Sequence, residues 1–318
     1  MKRYHRANRG LALVSVLWVS VLLALIAASF TKVSVTEVNR VRNITEGAKA
    51  EALADAGFEW ALAILASGRS EPRPRTDGSV YHWGFGDGLV LISIVDEASK
   101  LDLNEASDEL LASLFTAAGA TEPDSRAIAA AVLDYRDEDD TRRPHGAEAE
   151  DYTGPGQEGL PKNGPFDLVE ELQTVAGMTP ELYRAVASSL SVHSGQSEPE
   201  ATLATPLLRE AMGEGRSQPA QAWRPLDPPQ EEENPWPARP ELLYQASEEA
   251  VPSSGILDFQ VEALSDGGAI FVRQAVVQVG LEGNPPYRVK VWRRGQRKLF
   301  ALPPTEDVAL PLRREDEG

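Results

Sequence analysis

The chain has no cysteine and only four histidines among its 318 residues. Without cysteine there is neither a disulfide framework nor a catalytic thiol. The histidines, His5, His82, His145 and His193, are scattered: none has HExxH spacing and none accompanies a serine elbow. No catalytic constellation is left, so the chain reads as a non-enzyme. Basic charge is scarce as well, with 31 Lys and Arg against 49 Asp and Glu, a net charge of −18. That balance disfavours nucleic acid, whose phosphates call for Lys and Arg. It suits a solvated surface that attracts cations.

Acidic residues are missing where the chain begins. MKRYHRANRG holds basic side chains and no acid, and Leu11 to Phe30 holds no charge at all. Twenty residues at 1.5 Å each make roughly 30 Å of helix, the thickness of a bilayer's hydrocarbon core. A cleaved signal peptide is one reading, with Ala27, Ala28 and Ser29 near the cut. The other is a membrane helix that continues outward. Residues 32–66 lack proline, and Val35, Val38, Val41, Ile44, Ala48 and Ala52 recur at three- and four-residue steps, a helical stripe. Gly47 and Gly57 weaken that helix by about 1 kcal/mol each relative to alanine. Basic head, glycine, apolar run and rod together resemble the type IV pilin and pseudopilin class. The resemblance implies that a prepilin peptidase cuts after Gly10 and that the new amine of Leu11 is methylated. The class usually has glutamate at the fifth mature position, where this chain has Ser15. A buried carboxylate needs a partner in lipid, so a chain without one suits a position with no subunit ahead of it. An ordinary membrane anchor is the plainer alternative. The basic head sets the N-terminus in the cytoplasm and the bulk in the periplasm.

The remainder divides by composition into a leader at 1–10, a long helix at 11–66 with its membrane span at 11–30, and sheet-forming segments at 67–97 and 253–302. A helical insertion takes 98–195, a proline-rich linker 196–252 (ten of 23 prolines) and a disordered tail 303–318. Strands are expected at Leu89–Val95, Ile256–Leu264, Ala269–Leu281 and Tyr287–Arg294, with a tight turn at Asp266, Gly267 and Gly268. The expected fold class is α+β: a long N-terminal helix on a small antiparallel sheet, the pilin arrangement, carrying a large inserted all-α domain. Phe58 and Trp60 are expected in the helix–sheet core.

The insertion opens with LDLNEASDELLASLFTAAGA and closes with PFDLVEELQTVAGMTPELYRAVASSLSV. In the second, Thr179 and Pro180 form a helix start. Both stretches look like helix-hairpin-helix or SAM-like pieces, with Gly119 and Gly177 ending helices. Such hairpins bind DNA backbone when basic residues back them, whereas Glu170, Glu171 and Glu181 flank this one, which favours protein–protein packing. Between them, residues 134–151 hold eight carboxylates against three arginines. Calcium takes six to eight oxygens. Asp137 and Asp139, as alternate residues in a turn, with Glu148 and Asp151 from the return side and Gly146 for a sharp bend, are candidate Ca2+ ligands. The spacing is not that of an EF-hand, and a solvated acidic loop is the alternative.

VDEASKLDLNEA, LDYRDEDD, GAEAEDY and NGPFDLVEELQTVAGMTPELY together resemble the K-type minor pseudopilins of bacterial type II secretion systems, over most of the chain from Arg9 to about Val192. Lack of the fifth-position glutamate fits that subfamily. The resemblance implies structural calcium in the insertion and a place at the tip of the periplasmic pseudopilus. It also implies I- and J-type minor pseudopilins, the secretion platform, the prepilin peptidase and the inner membrane as partners. Tyr135, where an indole is common, and the proline-rich segment depart from the pattern. A type IV pilus minor pilin and an uncut membrane-anchored periplasmic binding protein are the other classes open to this sequence.

Overall fold

The computed structural model describes residues 9–67, 74–86, 88–154, 159–214, 224–225, 240–245 and 254–301. Most of the predicted leader and all of the predicted tail lie outside them. Helix α1 (Arg9–Ser67) is continuous over 59 residues, about 88 Å at 1.5 Å per residue. The predicted span 11–30 lies within it, and several of that span's side chains fall outside the described residues. Among the described residues no helix is long and apolar enough to cross a membrane.

The second half of α1 lies across a seven-stranded sheet. In chain order its strands are β1 (Asp77–Phe85), β2 (Gly88–Asp96), β5 (Arg224–Pro225), β6 (Glu241–Gln245), β7 (Ile256–Ser265), β8 (Ile270–Val279) and β9 (Tyr287–Arg294). Their spatial order is β5-β6-β1-β2-β7-β8-β9, and every neighbouring pair is antiparallel. Four strands lie where the sequence placed them. Strand β1 was missed, and β5 and β6 fall inside the expected linker.

The faces follow the two-residue period of a strand. Val90, Ile92 and Ile94 of β2 and Leu257, Phe259, Val261 and Ala263 of β7 point at α1, with Ala275 and Val277 of β8. Leu89 and Leu91 point the other way, onto Leu299 and Phe300. Glu262, fully buried on that second face, receives the backbone N–H groups of Lys298, Leu299 (2.8 Å) and Phe300 (3.0 Å), so the last described turn is clamped by one carboxylate.

The helix face laid on the sheet is Ala50, Ala54, Phe58, Ala61 and Leu62, all buried. Trp60 packs at its margin. A Cβ on Gly57 would sit 2.7 Å from Val90 Cγ1 and 3.0 Å from Val261 Cγ1. Glycine there permits the close approach, which explains a residue that otherwise only weakens the helix. Polar contacts fix the register. Arg273 of β8 donates to Asp55 (2.7 Å) and Glu51 (2.9 Å) of α1, and Glu46 accepts the Gly267 N–H (3.0 Å) at the β7–β8 turn. The stripe read from the sequence is not this face. Val38, Val41 and Ile44 are 66%, 61% and 63% exposed, and Ala48 and Ala52 stay exposed beyond Glu46, because the stripe lies on the side of α1 turned away from the sheet.

The insertion leaves β2 and returns to β7 through one carboxylate. Asp96 accepts from Ala98 N (2.9 Å) and from the backbone N (2.6 Å) and hydroxyl of Ser254. Beside it Lys100 bridges Glu97 (2.6 Å) and Asp258 (2.9 Å). A short parallel pair, β3 (Leu101–Asp102) with β4 (Leu190–Ser191), closes the base. Above it stand α2 (Asp108–Ala117), α3 (Glu122–Arg136), α4 (Pro180–Val186) and α5 (Pro206–Ala211), capped by Ser107, Thr121, Thr179 and Thr205. Gly119 and Gly177 take positive φ, 102° and 83°, where the turns demand it. Helix α5 corrects the linker boundary: Ala204 and Leu208 join the insertion's core with Leu111, Phe115, Val132 and Leu172, so the unit runs on to about residue 214.

The two helix glycines are expected to respond oppositely. Gly57→Leu overpacks the helix–sheet contact and should cost about 1–3 kcal/mol. Gly47→Ala, with nothing within 4 Å of the new Cβ, should stabilise by about 0.5–1 kcal/mol. Urea unfolding reads both; shifts of the same sign would refute this account of Gly57.

Candidate functional site

The acidic loop hangs from the end of α3. Thr121 caps the helix start and Ile128, Ala129 and Val132 face the core. Two residues before the helix ends, on the side shared with the buried Ala130 and Ala131, stands an acid, Asp134, fully buried. Tyr135 stacks on Phe166 with ring centroids 4.6 Å apart. Asn104 exchanges two hydrogen bonds with the Phe166 backbone, at 2.7 and 3.0 Å. These contacts hold the outgoing and returning limbs of the loop together.

Each of the three arginines has a different task. Arg136 points away from the acids and donates to the carbonyls of Leu103 and Ala106. Arg142 reaches the Gly146 carbonyl (2.9 Å) and Asp151 (3.2 Å). Arg143 donates to Asp134 (2.8 Å) and to Asp137. Gly146 is needed for room: a Cβ there would lie 2.0 Å from Asp134 Oδ2. The left-handed residue of the bend is its neighbour His145, with φ 70°, so the bend expected at glycine sits one residue earlier.

The four predicted ligands fare differently. Asp139 accepts from the Thr141 N–H (2.7 Å), which holds its carboxyl below the usual range. Asp151 accepts from the Glu148 N–H (3.0 Å) as well as from Arg142. Asp137 gives one oxygen to Arg143, while its Oδ1 is buried with no hydrogen-bond partner. Glu148 is 6% exposed, and neither carboxylate oxygen has a hydrogen-bond partner. Burial, with Asp134, Asp137, Asp140 and Asp139 around it, raises its pKa. Asn163, which donates to Asp140 (2.8 Å), leaves its Oδ1 buried and unpartnered too.

Among the described residues no three acids or histidines converge as a ready metal cage. The donor set nonetheless fits a hard cation. Glu148, Asp137 and Asn163 present unsatisfied buried oxygens, and an unpaired buried carboxylate is costly unless it is protonated or neutralised. Asp134, Arg143 and Asn163 were not singled out from the sequence. The acid interrupting the apolar face of α3 was the available signal.

Residues 90–195, from β2 through the acidic loop to the end of β4, match the family described as type II secretion system (T2SS), protein K. The matched stretch is the insertion, together with most of β2. In the curated relative "Putative type II secretion system protein K" of Escherichia coli (strain K12), 26% of residues are identical over 199. The match takes in 57% of this chain and 61% of that protein. Beyond the matched residues the likeness is one of fold. The crystal structure of the GspK-GspI-GspJ complex from the enterotoxigenic Escherichia coli type 2 secretion system contains a chain that matches with a TM-score of 0.56. Identity there is 16%, over 81% of this chain and 100% of that one, a likeness of fold.

The raised Glu148 pKa has a sign. Stability that depends on its bound proton is fully present at pH below the unfolded glutamate value and is lost as pH rises through the higher folded value. In chelator, the parent should therefore lose stability relative to Glu148→Gln, which has no proton to lose, as pH rises above the ordinary glutamate value. A constant offset between the two at every pH would mean that Glu148 acts only through packing.

Proposed function

We propose that this chain is a minor pseudopilin of a type II secretion system, positioned at the tip of the periplasmic pseudopilus, where it initiates or caps the fibre with other minor pseudopilins. The observation that carries the reading is a match to the protein K family across the insertion between β2 and β7 of a helix-on-sheet unit. The work of the molecule is assembly. The prepilin peptidase removes residues 1–10, the Leu11 amine is methylated, and the apolar run 11–30 holds the subunit in the inner membrane with its bulk in the periplasm. Support for these steps lies in the basic head, Gly10 and the uncharged run.

The exposed stripe Val38, Val41 and Ile44 is the surface offered to partner helices, I- and J-type subunits in this reading. Three large apolar residues in line, each more than 60% exposed, have no packing role among the described residues. The insertion, anchored through Asp96 and Lys100, adds bulk on which no further subunit stacks. Ser15, in place of the usual glutamate, offers nothing to a subunit ahead.

Calcium is the cation we assign to the acidic loop. Glu148 and Asp137, with Asn163, are the residues best placed to hold it, and Asp139 and Asp151 complete the acidic surround. When bound, the ion supplies positive charge that a crowd of carboxylates otherwise lacks. The chain's own contribution is to hold the loop ends together through Asn104, Phe166 and Tyr135. With calcium in place of chelator, the pH slope assigned to Glu148 should flatten in the parent and not change in Glu148→Gln. An unaltered parent slope would remove the ion from the account.

Assembly is tested by Val41→Asp with Ile44→Asp. Both positions are exposed, so the melting temperature should stay within a few degrees. Co-purification with I- and J-type subunits and secretion by the host should both fall severely. Normal secretion by this variant would contradict the proposal.

A further inference from the structure

Strand β9 ends the sheet, and among the described residues nothing pairs with its outer edge. It is eight residues long, about 26 Å of open backbone donors and acceptors at 3.3 Å per residue. Its charge is the reverse of the molecule's. Between Tyr287 and Lys298 the side chains of Arg288, Lys290, Arg293, Arg294, Arg297 and Lys298 are all exposed and no acid interrupts them, in a chain of net charge −18. Exposed apolar surface accompanies the charge. Val289 is 40% and Trp292 45% exposed, although the Trp292 ring also meets Phe58 at 4.9 Å and the Arg273 guanidinium at 4.3 Å. The tryptophan is thus held rigidly from one side and open on the other.

Charges and a bulge on an edge strand are the usual means of keeping it from pairing, and β9 has a register shift opposite Val276 and Val277. That protection is selective here. Like charges directly opposite one another repel, so a second copy of β9 is excluded, whereas a strand of opposite charge is attracted. Arginine and tryptophan are also the residue types that anchor protein interfaces. We propose that β9 is a docking edge for an extended acidic segment of a partner protein, which adds to the sheet as a further strand. Its carboxylates would pair with Arg288, Lys290, Arg293 and Arg294, and its apolar side chains would cover Val289 and Trp292. Among the described residues only Arg293 of these four has an acidic partner, Glu170 at 3.2 Å, a partly exposed contact that a stronger acid cluster can displace. The inference rests on the strand alone and stands whether or not the chain is a fibre tip.

The test uses the full chain in detergent and fluorescent peptides of alternating Glu and Val. One peptide is unmodified, one carries Lys for Glu, and two are acidic but N-methylated at alternate residues, each along a different edge. The unmodified acidic peptide should bind at low salt, the Lys peptide should not, and N-methylation of the pairing edge should weaken binding about tenfold or more. Arg288→Glu with Arg293→Glu should weaken it similarly without lowering the melting temperature, since both side chains are exposed. Failure of the unmodified acidic peptide to bind would overturn the proposal. Equal binding of both N-methylated edges and the unmodified peptide would overturn it too, as attraction without strand addition. So would binding to phosphatidylglycerol vesicles but not to the peptide, which would make β9 a lipid-facing surface.

Discussion

Everything in this molecule hangs on how closely α1 lies against the sheet. Ala50, Ala54, Gly57 and Ala61 present almost no side chain, so Val90, Ile92 and Val261 reach nearly to the helix backbone. Close packing of this kind stabilises through many small dispersion contacts and forfeits them steeply if a gap opens. The contact also has a topological role. Strands β2 and β7 are neighbours in the sheet yet are separated in sequence by the whole insertion, and the same helix face covers both. Loop-closure entropy grows only slowly with length, which is why so large an excursion between adjacent strands is tolerated.

The insertion is joined to this base by charge more than by apolar burial. Asp96 ties both ends of the excursion, and Lys100, enclosed by Glu97 and Asp258, keeps its proton against burial because two carboxylates outweigh the desolvation. Removing one member of such a set leaves a buried charge without compensation. The acidic loop shows that case in native form: Arg143 serves Asp134 and Asp137, Arg142 serves Asp151, and Glu148 is left over.

Much of the architecture was legible in the residues. Strands β2, β7, β8 and β9 stood out as apolar or alternating runs between turn residues, and Thr179 with Pro180 marked a helix start. Strand β1 did not, for a physical reason. Val80 is buried on one face and Tyr81 and Trp83 on the other, so no alternation survives, and Gly78, Gly84 and Gly86 break the run. Helix α5 was hidden because Pro206 counts among the prolines that mark the expected linker, whereas it occupies the first turn after the Thr205 cap. In the site, the acids were visible but their division of labour was not. Which arginine turns inward, and that Gly146 is chosen for room beside Asp134, are decided by residues that approach only once the chain has folded. The Val/Ile stripe on α1 was visible, while which side of the helix the sheet would cover was decided by the small residues Ala50, Ala54, Gly57 and Ala61.

The most direct test of the central claim is the intact mass of the chain purified from membranes of cells that carry the matching prepilin peptidase. A chain beginning at Leu11 and heavier by one methyl group is the predicted result, and would set it on the pseudopilin assembly pathway. A chain still beginning at Met1, or one beginning near Thr31, would contradict the account, leaving an uncut anchor in the first case and a secreted protein in the second.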